Sequence, residues 1–232
     1  MNTQTEEGTC VTPYYDRDGI TIYNARCEDV LPTIDPSSVD LLLTDPPYGI
    51  NLDTDYSSIP GVSPNGKKHN GGRTYAAVAS DDEPFDPTNL LGFGRVVLWG
   101  ANHFAQRLPE GGQWIVWRKR GASPLLAAAE LAWHNCGGRP VDYYETTRNE
   151  ARQKDGHLHP TQKPVSLMMW SLDRFGVKRG DLVLDPYMGS GPLARACVDF
   201  GVRYIGIEMV EEYCRAAVSR LRQQSLDFGG VS

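Results

Sequence analysis

The segment Asp45-Pro46-Pro47-Tyr48 combines a carboxylate, a stiff backbone and an aromatic ring within four residues. Pro46 favours an extended backbone at Asp45, and each proline fixes its own φ angle and lacks an N–H donor. The segment is therefore rich in hydrogen-bond acceptors. It suits a planar ring that bears an exocyclic amine, because the carboxylate and a backbone carbonyl can each accept one amine hydrogen while Tyr48 covers the ring.

A second segment, Asp185-Pro186-Tyr187-Met188-Gly189-Ser190-Gly191, is rich in glycine and precedes a predicted helix. Glycines let a ligand approach the backbone closely, and the free amides at a helix N-terminus favour anionic groups. Glu208 lies just past the next predicted strand, where an acidic side chain can accept hydrogen bonds from ribose hydroxyls. The spacing Gly189-x-Gly191-x-x-Ala194 also fits a dinucleotide fingerprint, so a nicotinamide-dependent dehydrogenase is an alternative.

Both segments follow short apolar runs of strand length, which is where an open α/β sheet carries its functional residues. From residue 181 onward, strands and helices alternate in a pattern that predicts an α/β fold. We expect a mostly parallel twisted sheet with helices on both faces. The predicted strands are 20–23, 39–44, 95–99, 113–117, 181–184 and 203–207, and the predicted helices are 27–31, 124–133, 164–175, 190–200 and 210–223.

The chain of 232 residues is long enough for one large domain, and we expect a single domain over residues 1–232. Residues 1–18 are predicted to be a loose leader. Residues 50–88 contain many Gly, Pro, Asn, Ser and Asp residues, which predicts a long mobile loop of the kind that is usually functional. Residues 120–158 form the only sizeable insertion between the predicted strand that ends at Trp117 and the segment that begins at His159.

Composition indicates a protein of the cytoplasm without a membrane span or a signal peptide. The five cysteines are scattered and odd in number, which argues against a disulfide framework and a zinc site, and we assign no metal. The net charge of −6 argues against a protein that coats nucleic acid without specificity. Local basic clusters remain candidates for nucleic-acid contact, although on charge alone they are typical of solvated faces.

The two segments together resemble the catalytic and cofactor motifs of the DNA amino-methyltransferases. His159-Pro160-Thr161-Gln162-Lys163-Pro164 resembles a further signature of that family, just upstream of the cofactor motif. The catalytic motif precedes the cofactor motif, which is the circularly permuted order of the β class, and the small size is similar to that of phage or prophage members. The resemblance implies a Rossmann-like methyltransferase fold.

The resemblance also implies the ligands and the roles of individual residues. Members transfer a methyl group from S-adenosyl-L-methionine to the exocyclic amine of a base that is flipped out of double-stranded DNA, often in restriction-modification systems. The implied catalytic residues are Asp45, Pro46, Pro47 and Tyr48. The implied cofactor-binding residues are Asp185, Pro186, Tyr187, Gly189, Ser190, Gly191 and Glu208, with Thr161, Gln162 and Lys163 near the methionine end.

The chain departs from the family near its N-terminus, where members carry Gly-Asp-Cys and this sequence has Ala25-Arg26-Cys27. The acid of that motif helps to hold the cofactor's adenine, and Glu28 or Asp29 is the candidate to replace it. By resemblance, residues 120–158 form the target-recognition region, with help from a second subunit of a homodimer. The candidate DNA contacts are Lys67, Lys68, Arg73, Arg118, Lys119, Arg120, Arg148 and Arg152.

Several readings of the reaction stay open from the sequence. An aspartate at the first position of the catalytic motif favours adenine N6, while cytosine-N4 enzymes more often carry serine there. Carbon-5 methylation of cytosine is disfavoured because none of the five cysteines follows a proline. A catalytically silent DNA-binding regulator is the alternative from a different class.

Overall fold

The computed structural model describes residues 11–51, 61–62, 68–69, 81–120, 127–147 and 162–225. Within these ranges the chain forms eleven strands: β1 (Tyr15–Arg17), β2 (Ile20–Asn24), β3 (Leu41–Thr44), β4 (Gly61–Val62), β5 (Lys68–His69), β6 (Val96–Trp99), β7 (Gln113–Arg120), β8 (Ala129–His134), β9 (Val141–Thr147), β10 (Leu182–Asp185) and β11 (Arg203–Glu208). The α-helices are α1 (Cys27–Val30), α2 (Val165–Arg174), α3 (Pro192–Phe200) and α4 (Glu211–Ser225).

Nine strands form one mixed sheet in the order β1-β2-β11-β10-β3-β6-β8-β7-β9, and β4 pairs with β5 separately. The run from β2 to β6 is parallel throughout, as is the pair β7 and β9. Strand β8 runs antiparallel between β6 and β7, and β1 runs antiparallel to β2. The prediction of a mostly parallel sheet in an α/β fold is therefore confirmed.

The central strands are buried on both faces because their residues are almost all apolar. Leu41, Leu42 and Leu43 on β3 and Val183 and Leu184 on β10 have no exposed side-chain surface. Alternate residues point into two core layers. One layer contains the apolar sides of α2, α3 and α4, and the other contains α1 together with residues 85–108, which include two short 3-10 turns. Among the described helices, the three longer ones thus cover one face.

The boundaries of α3 follow from its sequence. Gly191 precedes the helix with a φ angle of 75°, and Pro192 occupies the first turn, where its missing N–H costs nothing. The helix ends at Gly201, whose φ of 70° suits glycine. A Cβ at Gly191 would lie 2.7 Å from the Cβ of Ala217 on α4, so glycine also allows these two helices to approach closely.

Most of the predicted elements are confirmed, with small shifts at their ends, but the helix predicted for residues 124–133 is wrong. Residues 129–134 form β8, which pairs with β6 and β7. The alanine- and leucine-rich composition favours a helix locally, but the two flanking ladders override that preference. The leader predicted for residues 1–18 contains β1 in its described part. In the described residues, each helix is too short or too polar to cross a bilayer.

Candidate active site

The parallel strands bring the two predicted segments to the same edge of the sheet. Strands β3, β10 and β11 are neighbours that run in the same direction, so their carboxyl ends deliver Asp45, Asp185 and Glu208 side by side. A cavity of about 610 Å³ opens at this edge, within the range of about 300–1,000 Å³ that is typical of ligand sites. Residues 45–48 and 185–190 both line it.

Two hydrogen bonds hold Asp45 at the carboxyl end of β3. The Lys163 ammonium donates to its Oδ2 at 2.5 Å, and the Tyr48 hydroxyl donates to its Oδ1 at 2.5 Å. The side chain keeps about a quarter of its surface exposed. The carboxylate is therefore fixed in orientation, and it retains lone pairs that can accept a further hydrogen from a ligand.

Tyr48 packs closely against the loop that follows β6. Its ring stacks on His103 with centroids 4.8 Å apart and planes 11° from parallel. A Cβ at Gly100 would lie 1.8 Å from the Tyr48 ring, so only glycine leaves room for it. Burial and the neighbouring Asp45 carboxylate raise the pKa of Tyr48 well above its ordinary value, so the hydroxyl stays protonated and remains a donor.

The backbone at and after Tyr48 is held by a carboxylate that we did not predict from the sequence. Asp81, which is 4 % exposed, accepts hydrogen bonds at one oxygen from the amides of Tyr48 and Gly49 at 2.9 and 2.8 Å, and from Ile50 at 3.4 Å. Three consecutive amides that converge on one carboxylate fix the local backbone. The sequence gives no signal for this contact, because Asp81 lies in a stretch without periodicity.

Asp185 is buried beneath the glycine-rich segment and organises it. Thr44 donates to its Oδ1 at 2.6 Å, and the Tyr204 hydroxyl donates to its Oδ2 at 3.2 Å. Burial raises the pKa of Asp185 to about 7, although these hydrogen bonds act in the opposite direction. The predicted site residue is thus found at the cavity, with its own oxygens bonded to protein groups.

Glu208 lines the cavity at the end of β11. Its Oε2 accepts the amide of Gly189 at 2.9 Å, and its Oε1 accepts the amide of Val210 at 2.7 Å. Burial raises the pKa of Glu208. Each carboxylate oxygen has a second lone pair, so Glu208 can also accept hydrogen bonds from the hydroxyls of a ribose.

The signature before α2 contributes two described residues to the site. Gln162 accepts a hydrogen bond from the Ser190 hydroxyl at 3.0 Å, which joins it to the glycine-rich segment. Lys163 points instead to Asp45, and its ammonium also donates a hydrogen bond of 3.0 Å to the Tyr48 hydroxyl oxygen. Thr161 lies outside the described residues.

Near the N-terminus, the thiol of Cys27 donates to the Tyr187 hydroxyl at 3.1 Å and so joins α1 to the cofactor segment. Glu28 and Asp29 are both exposed on α1, but Glu28 lines the cavity and Asp29 does not. Of the two acids considered as replacements for the missing family aspartate, Glu28 is therefore the one beside the cavity.

The structure separates the predicted basic contacts. Arg118 and Arg120 lie on one face of β7, where both pair with Glu145, while Lys119 points to the opposite face and pairs with Glu130. Lys68 lies on β5. Lys67, Arg73, Arg148 and Arg152 lie outside the described residues. In the described part of the chain, no three His, Cys, Asp or Glu side chains are grouped to hold a metal ion.

Glu130 is the second functional candidate that sequence reasoning missed. Its carboxylate lies 2.9 Å from the ammonium of Lys163, which in turn contacts Asp45. A charged residue within the apolar run 125–133 can indicate a functional side chain. The predicted helix did not indicate its partners, because only a strand places Glu130 opposite Trp117 on β7.

The protein has the fold of a Rossmann-like methyltransferase, with a cavity at the strand ends and the two motifs beside it. The structure resembles a crystal structure of M1.HpyAVI in complex with S-adenosylmethionine, with a TM-score of 0.55 at 22 % identity over 87 % of this chain and 99 % of the other. It also resembles the PvuII DNA methyltransferase, described as cytosine-N4-specific, with a TM-score of 0.59 at 14 % identity over 89 % and 87 % of the two chains. At these identities the likeness shows the fold.

Sequence comparisons find similar DNA methyltransferases. Residues 110–219 match the model of the DNA methylase family N6_N4_Mtase. The type II methyltransferase M2.DpnII of Streptococcus pneumoniae is 25 % identical over 92 % of this chain and 93 % of its own length. These matches support a DNA amino-methyltransferase, an enzyme whose cofactor is S-adenosyl-L-methionine. This result favours a methyltransferase over the dehydrogenase considered from the glycine spacing.

The cavity fits this cofactor. Glu208 offers acceptor lone pairs for ribose hydroxyls, and a Cβ built at Gly189 would meet no atom within 4 Å, so the backbone there is open to a ligand. Tyr187, Ile207 and Val210 supply apolar lining beside Glu208, which suits a purine. Asp45 lines the same cavity, so a ligand at the glycine-rich segment and an amine at Asp45 can meet within it.

Proposed function

We propose that the protein methylates the exocyclic N6 amine of an adenine that is flipped out of double-stranded DNA, with S-adenosyl-L-methionine as methyl donor. The observation that carries this proposal is the position of Asp45. An oriented carboxylate beside an aromatic ring lines the same cavity as Glu208 and the glycine-rich segment.

The proposed chemistry depends on orienting a poor nucleophile. The lone pair of an exocyclic amine is delocalised into its ring, so the nitrogen attacks only when its geometry is pulled toward tetrahedral. Asp45 and the Pro46 carbonyl are proposed to accept the two amine hydrogens and to aim the lone pair at the methyl group. This assistance is positional and electrostatic, and no covalent enzyme intermediate is required.

When bound, the cofactor would supply a methyl group from a positively charged sulfur, so that the new N–C bond would form as the S–C bond breaks and its electrons stay on sulfur as a thioether. Positive charge thereby arises on the nitrogen, which then releases one of its two protons. Asp45 is the proposed first acceptor of that proton, which then passes to water.

Flipping the base out of the duplex costs about a few kcal/mol. Stacking of the base on Tyr48 is proposed to recover about 1–3 kcal/mol of this cost. The His103 ring stacks on one face of the Tyr48 ring and holds it in place, as a fixed platform for a base requires. The predicted DNA contacts at Arg118, Arg120 and the basic residues outside the described ranges are part of this proposal.

Adenine is proposed over cytosine because the catalytic segment begins with aspartate, while cytosine-N4 members more often carry serine at that position. The PvuII enzyme shares only the fold with this chain at 14 % identity, so it gives no preference for cytosine here. Both bases present an amine that could donate a hydrogen bond to the Asp45 carboxylate, so the choice between them rests on the motif.

The test is to methylate unmodified DNA with the purified protein and to analyse the nucleosides by mass spectrometry. We expect N6-methyladenine, and strand-resolved sequencing then gives the recognition site. Recovery of N4-methylcytosine alone would overturn the choice of base, and the absence of any methylated nucleoside would overturn the proposed activity.

A further inference from the structure

Four charged side chains form a continuous chain that ends at the catalytic carboxylate. Lys119 on β7 pairs with one oxygen of Glu130 on β8. The other oxygen of Glu130 lies 2.9 Å from the Lys163 ammonium, which donates to Asp45 at 2.5 Å. The side chain of Lys163 is 3 % exposed and that of Glu130 is 22 % exposed, so the centre of this chain is shielded from water.

The sheet fixes the position of Glu130. It lies opposite Trp117 on β7, and Lys119 is two residues further along on the same face. The Trp117 indole is itself held by a hydrogen bond of 2.9 Å to Thr146, and the Lys119 ammonium lies 4.6 Å above the Trp117 ring. Glu130 does not line the cavity, and its contact with Lys163 connects it to Asp45.

Both inner groups are charged at neutral pH. Burial alone would raise the pKa of Glu130, but the two lysines outweigh it and lower the pKa to about 2. Burial alone would lower the pKa of Lys163, but the carboxylates of Asp45 and Glu130 outweigh it and raise the pKa well above its ordinary value. The group therefore contains two cations and two anions and is neutral as a whole.

The balance of charge matters at the point where the reaction creates a cation. In the proposed transfer, positive charge develops on the amine nitrogen next to Asp45. A buried ammonium on that carboxylate opposes this charge unless a second anion compensates for it, and such interactions are stronger in a shielded site than in water.

We infer that Glu130 is a positioning residue for methyl transfer, which holds the Lys163 ammonium between two carboxylates and offsets its charge, so that Asp45 remains an effective acceptor for the target amine. This inference rests on the proposed function. It assigns a role in the reaction to a residue that touches neither the cofactor segment nor the cavity.

The first test compares Glu130→Gln with the wild-type protein under saturating DNA and cofactor. We expect kcat to fall by about tenfold or more, while the dissociation constants for S-adenosylmethionine and DNA stay within about threefold. Asp199→Asn is the matched control, because Asp199 is a partly exposed acid on α3 that pairs with the buried Arg195, and neither residue lines the cavity. It should leave kcat within about twofold.

The second test separates charge compensation from loss of structure. The double variant Lys119→Gln/Glu130→Gln removes one cation as well as the anion and restores neutrality around Asp45. We expect it to recover kcat by about threefold or more over Glu130→Gln alone. A kcat for Glu130→Gln within about twofold of wild type, or no recovery in the double variant, would overturn the inference.

A thermal melt provides a readout that does not depend on methylation. Glu130→Gln leaves two ammonium groups with only the Asp45 carboxylate, so the Tm should fall, and the double variant should regain at least about half of that loss. If wild-type protein methylated no DNA but this recovery were observed, the proposed function would fail while the charge compensation stood. No recovery in the melt would contradict the compensation itself.

Discussion

Individual residues at this site have defined partners before any ligand binds. Asp45 is oriented by Lys163 and Tyr48, and Glu208 is oriented by the amides of Gly189 and Val210. Groups fixed in this way need little reorganisation when a ligand arrives, which is the main electrostatic advantage of an enzyme site over water. The two carboxylates are therefore proposed to have separate tasks, with Asp45 binding the amine and Glu208 binding the ribose.

At the scale of the residue, Glu208→Gln tests the cofactor assignment. The amide loses the negative charge and one of the two acceptor oxygens, so hydrogen bonds to ribose hydroxyls weaken by about 1.5–3 kcal/mol. We expect the dissociation constant for S-adenosylmethionine, measured by calorimetry, to rise by about tenfold to a hundredfold.

The matched control is Glu211→Gln, which removes an exposed acid at the start of α4 that pairs with Arg215. It should leave the affinity for the cofactor unchanged. Equal affinities for wild type and Glu208→Gln would show that Glu208 does not bind the ribose.

At the scale of the element, the loops after β3 and β6 hold each other. Asp81 binds three amides after the catalytic segment, and Gly100 gives the Tyr48 ring its place above the backbone. The proposed platform for the base is thus built from segments far apart in sequence. Its geometry depends on close backbone approach as much as on side-chain type.

Gly100→Ala tests this packing. The φ of Gly100 is 68°, and the new Cβ would overlap the Tyr48 ring at 1.8 Å, so the ring must move. We expect a loss of about 1–3 kcal/mol in the free energy of unfolding in urea, together with a fall in kcat. Gly94→Ala is the control, since a Cβ there meets nothing within 4 Å. Unchanged kcat in Gly100→Ala would contradict the role of a fixed Tyr48.

At the scale of the whole molecule, much of the architecture could be predicted from local pattern. The apolar runs before Asp45 and Asp185 predict two parallel strands. Because these strands end at the same edge of the sheet, two motifs that are far apart in the chain meet there. The hydrogen bond from Thr44 to Asp185 joins them across 141 positions of the sequence. Strand β8 could not be predicted, because its composition favours a helix and only its neighbours β6 and β7 make it a strand.

In the site, too, some residues could be predicted from local sequence pattern and others could not. Asp45, Tyr48 and Glu208 lie at strand ends and carry recognisable motifs, so the sequence locates them at the cavity. Asp81 and Glu130 act through contacts between distant segments, which no local spacing encodes. Lys163 was expected near the methionine end of the cofactor, and the contacts that the structure gives it are with Asp45, Tyr48 and Glu130.

The stability of the folded protein at acid pH depends on the protonation of buried groups such as His134, which lies away from the cavity. Burial, with a smaller contribution from Arg174, lowers the pKa of His134 from 6.5 to about 4. The unfolded chain therefore binds a proton that the folded protein does not, and stability falls as the pH decreases from about 6.5 to 4. We expect the Tm of His134→Gln to change less than that of wild type across this range, and an equal change in both proteins would contradict the assignment.

The central claim is that Asp45 activates the target amine, and the most direct measurement is the single-turnover rate of methyl transfer by Asp45→Ala. Calorimetry with S-adenosylmethionine first establishes that the variant folds and binds the cofactor. We expect a rate lower by about a hundredfold to a thousandfold, with cofactor affinity within about threefold of wild type. A rate near that of wild type would show that Asp45 does not activate the amine.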